Sequence, residues 1–437
     1  MSRPNTPALK TAEPVTLLLG TKQGKLPMPC RIETLEKPAR PTAFAPLPQP
    51  LAWIEADMLA LRARGLERSQ RIRSGRQGDA VTLDGRPLIN FGSNDYLGYA
   101  GDVRLTKAAA KGACAEGFGA GASPLVSGHS ESHELLEQSI ARLLETEAAL
   151  LFSSGFAANI ATIAALAGPD DIIFSDARNH ASIIDGCRLS QATVRIYPHR
   201  DMAALATLLA GDRDPVARRK LIVSDTLFSM DGTLAPLASL CEIAHQYQAI
   251  LMVDEAHATG VFGPRGSGLV EESNCNDGVH LRVGTLSKAL GAAGGFVAGH
   301  QAVIHWLRHK ARASIFSTAH PPSIAAAATR AIGLLAEEPQ RRKTLLDNAA
   351  EFRDRLLSAG IDLGEAEAQI VPIMAGTAEA AVRLADRLAS NGFFVPAIRP
   401  PSVPEGRSLV RASLSWHHTV ETLQRLASTI EALRHEP

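Results

Sequence analysis

The chain has 437 residues, 45% hydrophobic and 21% charged, with 45 Lys plus Arg balanced by 45 Asp plus Glu. That length gives room for about two domains and a sizeable core, and the composition is that of an ordinary soluble globular protein. A formal net charge of zero gives no footing for nucleic acid or an anionic membrane, and no apolar run reaches the about 18 residues of a spanning helix.

Residues 1–50 hold ten of the 26 prolines, most densely in "KPARPTAFAPLPQP". Few backbone donors and little periodicity predict an extended or disordered arm there. Its one apolar stretch, "TLLLG", is too short for the core of a secretory signal. The five cysteines (Cys30, Cys114, Cys187, Cys241, Cys275) are scattered and form no CxxC, which suits a reducing compartment; the chain reads as cytoplasmic. Over 51–90, "LAWIEADMLALRARGLER" has helical spacing and leads into an arm. From 91 to 322, short apolar runs alternate with amphipathic or Ala-rich segments. The runs are "AALLF" (148–152), "DIIFSD" (171–176), "KLIVSD" (220–225), "AILMVD" (249–254) and "GGFVAG" (294–299). Near-continuous apolar strands separated by helices predict an α/β fold, a mostly parallel sheet covered on both faces. Over 323–437, long Ala/Leu/Arg helices and the strand-like "AQIVPIMAG" predict a smaller α+β domain.

In an open α/β sheet, ligands bind beyond the carboxyl ends of the strands, and polar residues gather at those ends here. Asp254 closes "AILMVD" and is followed by Glu255 and His257; Ser224 and Asp225 close "KLIVSD", with Ser229 in the turn beyond. His180 lies past "DIIFSD", and "FSSGFAAN" opens a helix at Gly155 and Phe156 whose free amides suit a phosphate. Lys288 sits in "GTLSKALGAAGG", among small uncharged residues. Each has a bland reading: a carboxylate at a strand end is commonly a helix cap, a lone histidine is commonly structural, and a lysine at a strand end snorkels. Together they are what pyridoxal phosphate requires: a lysine with depressed proton affinity to form a Schiff base, a carboxylate for the ring nitrogen, an imidazole for the ring face and a phosphate cup.

The motifs "NFGSNDYLGYAG", "GFGAGASPLVSGHSESHELLE", "SSGFAANIATIAAL", "NHASIIDGCRLS", "TLFSMDGTLAPL" and "MVDEAHATGVFGPRG" followed by "GTLSK" run in order over about residues 50 to 435. In them the chain resembles the α-oxoamine synthases, fold-type I pyridoxal-phosphate enzymes. The resemblance implies that Lys288 bears the cofactor and moves the substrate Cα proton, that Asp254 pairs with the ring nitrogen, and that His180 stacks on the ring. It also implies that His257 and Ser229 bond the phenolic oxygen or its surroundings, and that Gly155, Phe156 and Thr285 hold the cofactor. Ser317 and Thr318 in "FSTAHPP" would reach the phosphate of a second subunit, hence a homodimer. Arg411, helped by Asn94, would bind the amino-acid carboxylate, with Arg399, Ser402 and an N-terminal arginine near the acyl group; Arg68 is the best match for that arginine, with Arg71 and Arg73 as rivals. Arg399 before Pro-Pro resembles the members that condense L-alanine with a pimeloyl thioester, on coenzyme A or a carrier protein. Sister activities that use glycine, glycine C-acyltransferase and 5-aminolevulinate synthase, are the alternative. A non-catalytic partner subunit of such an enzyme typically lacks the lysine, whereas Lys288, Asp254, His180 and His257 are all present. "HSESH" lacks the zincin order at His129 and His133, so no metal is expected, and His417 and His418 read as solvated helix-start residues.

Overall fold

A computed structural model of the chain describes residues 47–211 and 219–434. The chain divides into two units between Asp57 and Met58. Of the first, only a turn at Gln49–Leu51 and the start of helix α1 (Trp53–Ala63) fall among the described residues. The arm expected over 1–50 lies outside them except for residues 47–50. Helix α1 carries Arg62 in its last turn and ends two residues before Gly65, whose φ of 64° is a left-handed conformation that ends helices.

In the second unit, β1 (Arg73–Ser74), β2 (Ala80–Leu83) and β3 (Arg86–Asn90) form a small antiparallel sheet. The predicted runs become β4 (Ala148–Phe152), β5 (Ile172–Asp176), β7 (Lys220–Asp225), β8 (Ile250–Asp254) and β10 (Gly295–Gly299), with β6 (Thr193–Tyr197) and β9 (Leu281–Thr285) completing the sheet. Their order is β4-β10-β9-β8-β7-β5-β6, and only β10 runs against the others. Alternate residues of each strand feed two apolar clusters, one on each face. Phe174, Ile222, Leu251 and Val253 belong to one, and Ile173, Leu221, Val223 and Met252 to the other. Burial on both faces is why these strands are apolar without alternation.

One strand direction brings the carboxyl ends of β4, β5, β7, β8 and β9 to a single edge, where Asp225 and Asp254 are register partners. Helices α2 (Val103–Glu116), α3 (Glu131–Leu144), α4 (Gly155–Leu166) and α5 (Ala181–Ser190) follow the chain around the sheet. Beyond the helix Pro322–Glu337 come β11 (Ile370–Gly376), β12 (Phe393–Phe394), β13 (Ala397–Ile398) and β14 (Ser408–Ser413). Strands β11, β14 and β13 form an antiparallel sheet, while β12 adds to the small sheet parallel to β3. The loop after β3 is tied to the end of β14: Ser413 N–H donates to the Phe91 carbonyl at 2.8 Å and Trp416 N–H to that of Tyr96 at 2.9 Å. These bonds carry Asn94 and Tyr96 to Arg411.

Candidate active site

Lys288 lies three residues beyond β9, and its amine is 2.8 Å from Nε2 of the buried His257. Desolvation pushes the amine down to about 8, although Asp254 and Asp225 act to hold it up. A pocket that solvates an ammonium poorly favours the neutral, nucleophilic form. The same burial, with the Lys288 charge adding to it, holds His257 well below its usual value. Its other ring nitrogen is 2.6 Å from the Tyr96 hydroxyl, and its backbone carbonyl accepts from Gln369 Nε2 at 3.0 Å. Tyr96 is fully buried, which pushes its phenol up to about 12, so it acts as a hydrogen-bonding hydroxyl.

The same hydroxyl lies 3.3 Å from Asn94 Oδ1, which accepts from Arg411 Nη1 at 3.2 Å. Arg411 on β14 is 6% exposed, and its Nε donates to the Ser229 carbonyl at 2.5 Å. Its Nη2 is buried without a hydrogen-bond partner among the described residues. A buried guanidinium with an unpaired nitrogen, next to a side-chain amide, is a ready receptor for a carboxylate.

On the other side of Lys288, the buried Asp254 accepts from Ala256 N–H at 2.7 Å and from Asn159 Nδ2 at 2.6 Å. Neighbouring Asp225 takes the His180 backbone N–H at 2.7 Å; burial first and then the Asp254 charge hold its carboxyl well above the usual range. His180 caps α5, with Nδ1 at 2.7 Å from Ser182 Oγ and its ring edge-on to Phe156 at 6.3 Å. Packing on that side lowers its proton affinity, while the residue as a whole stays exposed on the open side.

The cup at α4 is built by close approach. A Cβ on Gly295 would lie 2.4 Å from the Gly155 nitrogen, so only glycine lets β10 pass this helix start. Gly155 in turn faces Thr285, whose hydroxyl donates to the Gly294 carbonyl at 2.8 Å and lies 2.7 Å from Ser287 Oγ. The amides of Gly155 and Phe156 have no partner among the described residues. The cup, the buried carboxylate, the open imidazole, the depressed amine and the unpaired Arg411 donor are the groups pyridoxal phosphate and an amino acid would use, and the residues fit that cofactor.

The remaining predicted residues lie elsewhere. Arg68, Arg399 and Ser402 line one hollow of about 670 Å³ with Arg71, Phe394 and Val395. Arg399 donates to the carbonyls of Gly65 and, at 3.4 Å, Glu67. Of the rival arginines, Arg71 lies over the Phe394 ring at 5.4 Å, whereas Arg73 turns to the Gly75 carbonyl. Ser317 and Thr318 line a separate small cavity with Phe152 and Ser153, which Lys288 does not reach. An equally large hollow between α3 and the helix Gln301–Lys310 contains none of the predicted residues. His418 corrects the sequence reading: it is 1% exposed, stacks on Phe91 at 4.0 Å and lies 3.1 Å from the Asn90 carbonyl, a core residue rather than a solvated one. Sequence reasoning passed over Tyr96, Asn159, Ser182 and Gln369 as parts of the site, and marked Asp225 only as a polar strand end without a role. Tyr96 lies two residues from Asn94 and Asn159 one helical turn from Gly155, and that spacing was the signal available.

Residues 86–430 match the family model for aminotransferase class I and II, so the fold and site are those of a pyridoxal-phosphate transferase. The 8-amino-7-oxononanoate synthase of Citrifermentans bemidjiense is 47% identical over 377 residues, 86% of this chain and 96% of its own. Among solved structures, a serine palmitoyltransferase from S. paucimobilis with bound PLP is 29% identical with a TM-score of 0.82, over 88% of this chain and 97% of that one. The 8-amino-7-oxononanoate synthase from Francisella tularensis is 30% identical with a TM-score of 0.68, over 79% and 98%. The chain belongs to the α-oxoamine synthase family of pyridoxal-phosphate-dependent acyltransferases.

Proposed function

We propose that the chain condenses L-alanine with a pimeloyl thioester, releasing carbon dioxide and the free thiol carrier and forming 8-amino-7-oxononanoate for biotin biosynthesis. The names of the relatives, similar over nearly their whole length, support this reaction. The observation that carries the site reading is the unpaired, buried Nη2 of Arg411 beside Asn94, at the end of a hydrogen-bonded path from Lys288.

Lys288 would hold the cofactor covalently, Asp254 its ring nitrogen, Gly155, Phe156 and Thr285 its phosphate, and His257 and Ser229 the side of its phenolic oxygen. When bound, pyridoxal phosphate supplies an electron sink for charge developing at the amino-acid Cα. Arg411 and Asn94 orient the alanine carboxylate. The Lys288 amine, with its depressed proton affinity, takes the Cα proton and later returns one. His180 covers the open side and donates a proton to the oxyanion that forms as the thioester carbonyl is attacked. Arg68, Arg399 and Ser402 hold the acyl substrate, whose distal carboxylate suits an arginine-rimmed hollow with Phe394 and Val395 in its wall.

The assembly is a homodimer in this reading. Phe118, Leu125, Val126 and Phe316 are 80%, 60%, 78% and 70% exposed, apolar side chains whose burial against a second copy would be favourable. Ser317 and Thr318, next to Phe316, would serve the partner's phosphate cup. No helix among the described residues is long and apolar enough to cross a membrane, in keeping with a site in the cytoplasm.

The test is thiol release from pimeloyl-CoA by the cofactor-loaded protein, with L-alanine, glycine and L-serine in parallel. Release with alanine is expected. Release with glycine alone, or only from acetyl or succinyl thioesters, would assign a sister activity to the same site.

A further inference from the structure

His180, Ser182, Asn159 and Asp254 are joined by hydrogen bonds whose directions are all fixed. Asn159 is 1% exposed and sits on α4, four residues after Gly155. Its Nδ2 donates to Asp254 Oδ2 at 2.6 Å and to Ser182 Oγ at 2.9 Å. An amide nitrogen carries two hydrogens, so both bonds exist together. The flipped amide would point its oxygen at a carboxylate, so the network selects one orientation. With its oxygen accepting from Asn159, Ser182 has its own hydrogen for His180 Nδ1 at 2.7 Å, where the Ser182 backbone N–H also arrives at 3.2 Å. Two donors at Nδ1 leave the ring hydrogen on Nε2.

We propose that Asn159 is a positioning residue that serves both sides of the cofactor site, fixing the Asp254 carboxylate by a hydrogen bond and, through Ser182, holding His180 in the Nε2–H tautomer. The proposal rests on the roles given above to Asp254 and His180. An amide suits both tasks. It stabilises the carboxylate by hydrogen bonding without bringing a cation that would neutralise it. The Nε2–H tautomer leaves a donor on the ring nitrogen that Ser182 does not occupy, which is what a proton donor to an oxyanion requires. The side-chain carbonyl of Asn159 is buried without a partner among the described residues, a cost that an apolar residue of similar size would avoid. The donors on its other end account for an amide at this position.

The test uses the full-length holoenzyme with N159A, N159D and S182A, reading the dissociation constant of pyridoxal phosphate by fluorescence together with kcat and KM. N159D is nearly isosteric but sets a second carboxylate against Asp254, so it should weaken cofactor binding more than about tenfold and more than N159A does. S182A should keep cofactor affinity within about twofold while lowering kcat about tenfold with little change in KM. A purely structural Asn159 would give the opposite order, with the cavity-forming N159A worse than N159D, and that result overturns the proposal. So does an S182A enzyme with parental kcat, which decides the matter even if neither Asn159 variant folds. K288A is the control: if it kept full activity, the assigned site would fall, whereas a dead K288A with an unaltered N159D would sink the Asn159 role alone.

Discussion

The surroundings of Lys288 and the hollow around Arg399 are built by opposite means. Around Lys288, the residues His257, Tyr96, Asp254 and Arg411 are buried and fixed by hydrogen bonds of 2.5 to 3.3 Å. In the hollow, Arg68 and Ser402 are exposed and Arg399 is half-buried, held to backbone carbonyls of the segment after α1. The first arrangement resists change and suits proton transfer, where a displacement of an ångström is costly. The second tolerates variation and suits the choice of acyl chain, because each contact there is solvated and weak.

This contrast sets the order of the expected effects. K288A should lose activity by about 10⁴-fold or more, since it removes both the covalent anchor and the base; turnover near parental levels would dissolve the distinction between the two regions. R411M should lower kcat/KM for the amino acid by roughly 30- to 150-fold, the equivalent of about 2–3 kcal/mol for a charge-assisted bond in a buried site. The thioester KM should move far less. H180F should keep a ring over the site and slow condensation by about 100-fold while exchange of the alanine Cα proton continues; unimpaired condensation would remove the proton-donor role. At the shallow end, R399A should raise the pimeloyl thioester KM by less than about tenfold with kcat intact. A loss as deep as that of R411M would mean the hollow is built as tightly as the core site.

The pH dependence sharpens the same contrast. Burial lowers Lys288 from an ordinary 10.5 to about 8, so its neutral fraction grows as pH rises through 8. Labelling of Lys288 in the cofactor-free protein by an amine-reactive probe should therefore show a midpoint near pH 8. A Lys288 midpoint near 10.5 would show a solvated amine.

Sequence pattern located the buried site better than the open one. Strands covered on both faces must be apolar along their whole length, so "KLIVSD" and "AILMVD" announce themselves and deliver Asp225 and Asp254 to the same edge. Lys288 was legible because small neutral neighbours are unusual for a surface lysine. Asn159, Ser182 and Gln369 were not, since a polar residue inside an Ala-rich helix or before a strand gives no sign of what it faces until the elements pack. The same holds for His418, whose sequence neighbours are polar while its spatial neighbour is Phe91. Among the arginines, only tertiary packing shows that Arg68 and Arg71 face the hollow while Arg73 turns away. Strand β6 is partly exposed, "TVRIY" with burial at its last residue only, and an edge strand of that kind lacks the continuous apolar run that marked its neighbours.

The central claim is that Lys288 carries the cofactor. It is tested most directly by reducing the loaded protein with borohydride, digesting it and locating the retained pyridoxyl group by mass spectrometry. One labelled peptide, containing Lys288, is expected. Label on another lysine, or cofactor that washes away entirely after reduction, would contradict it.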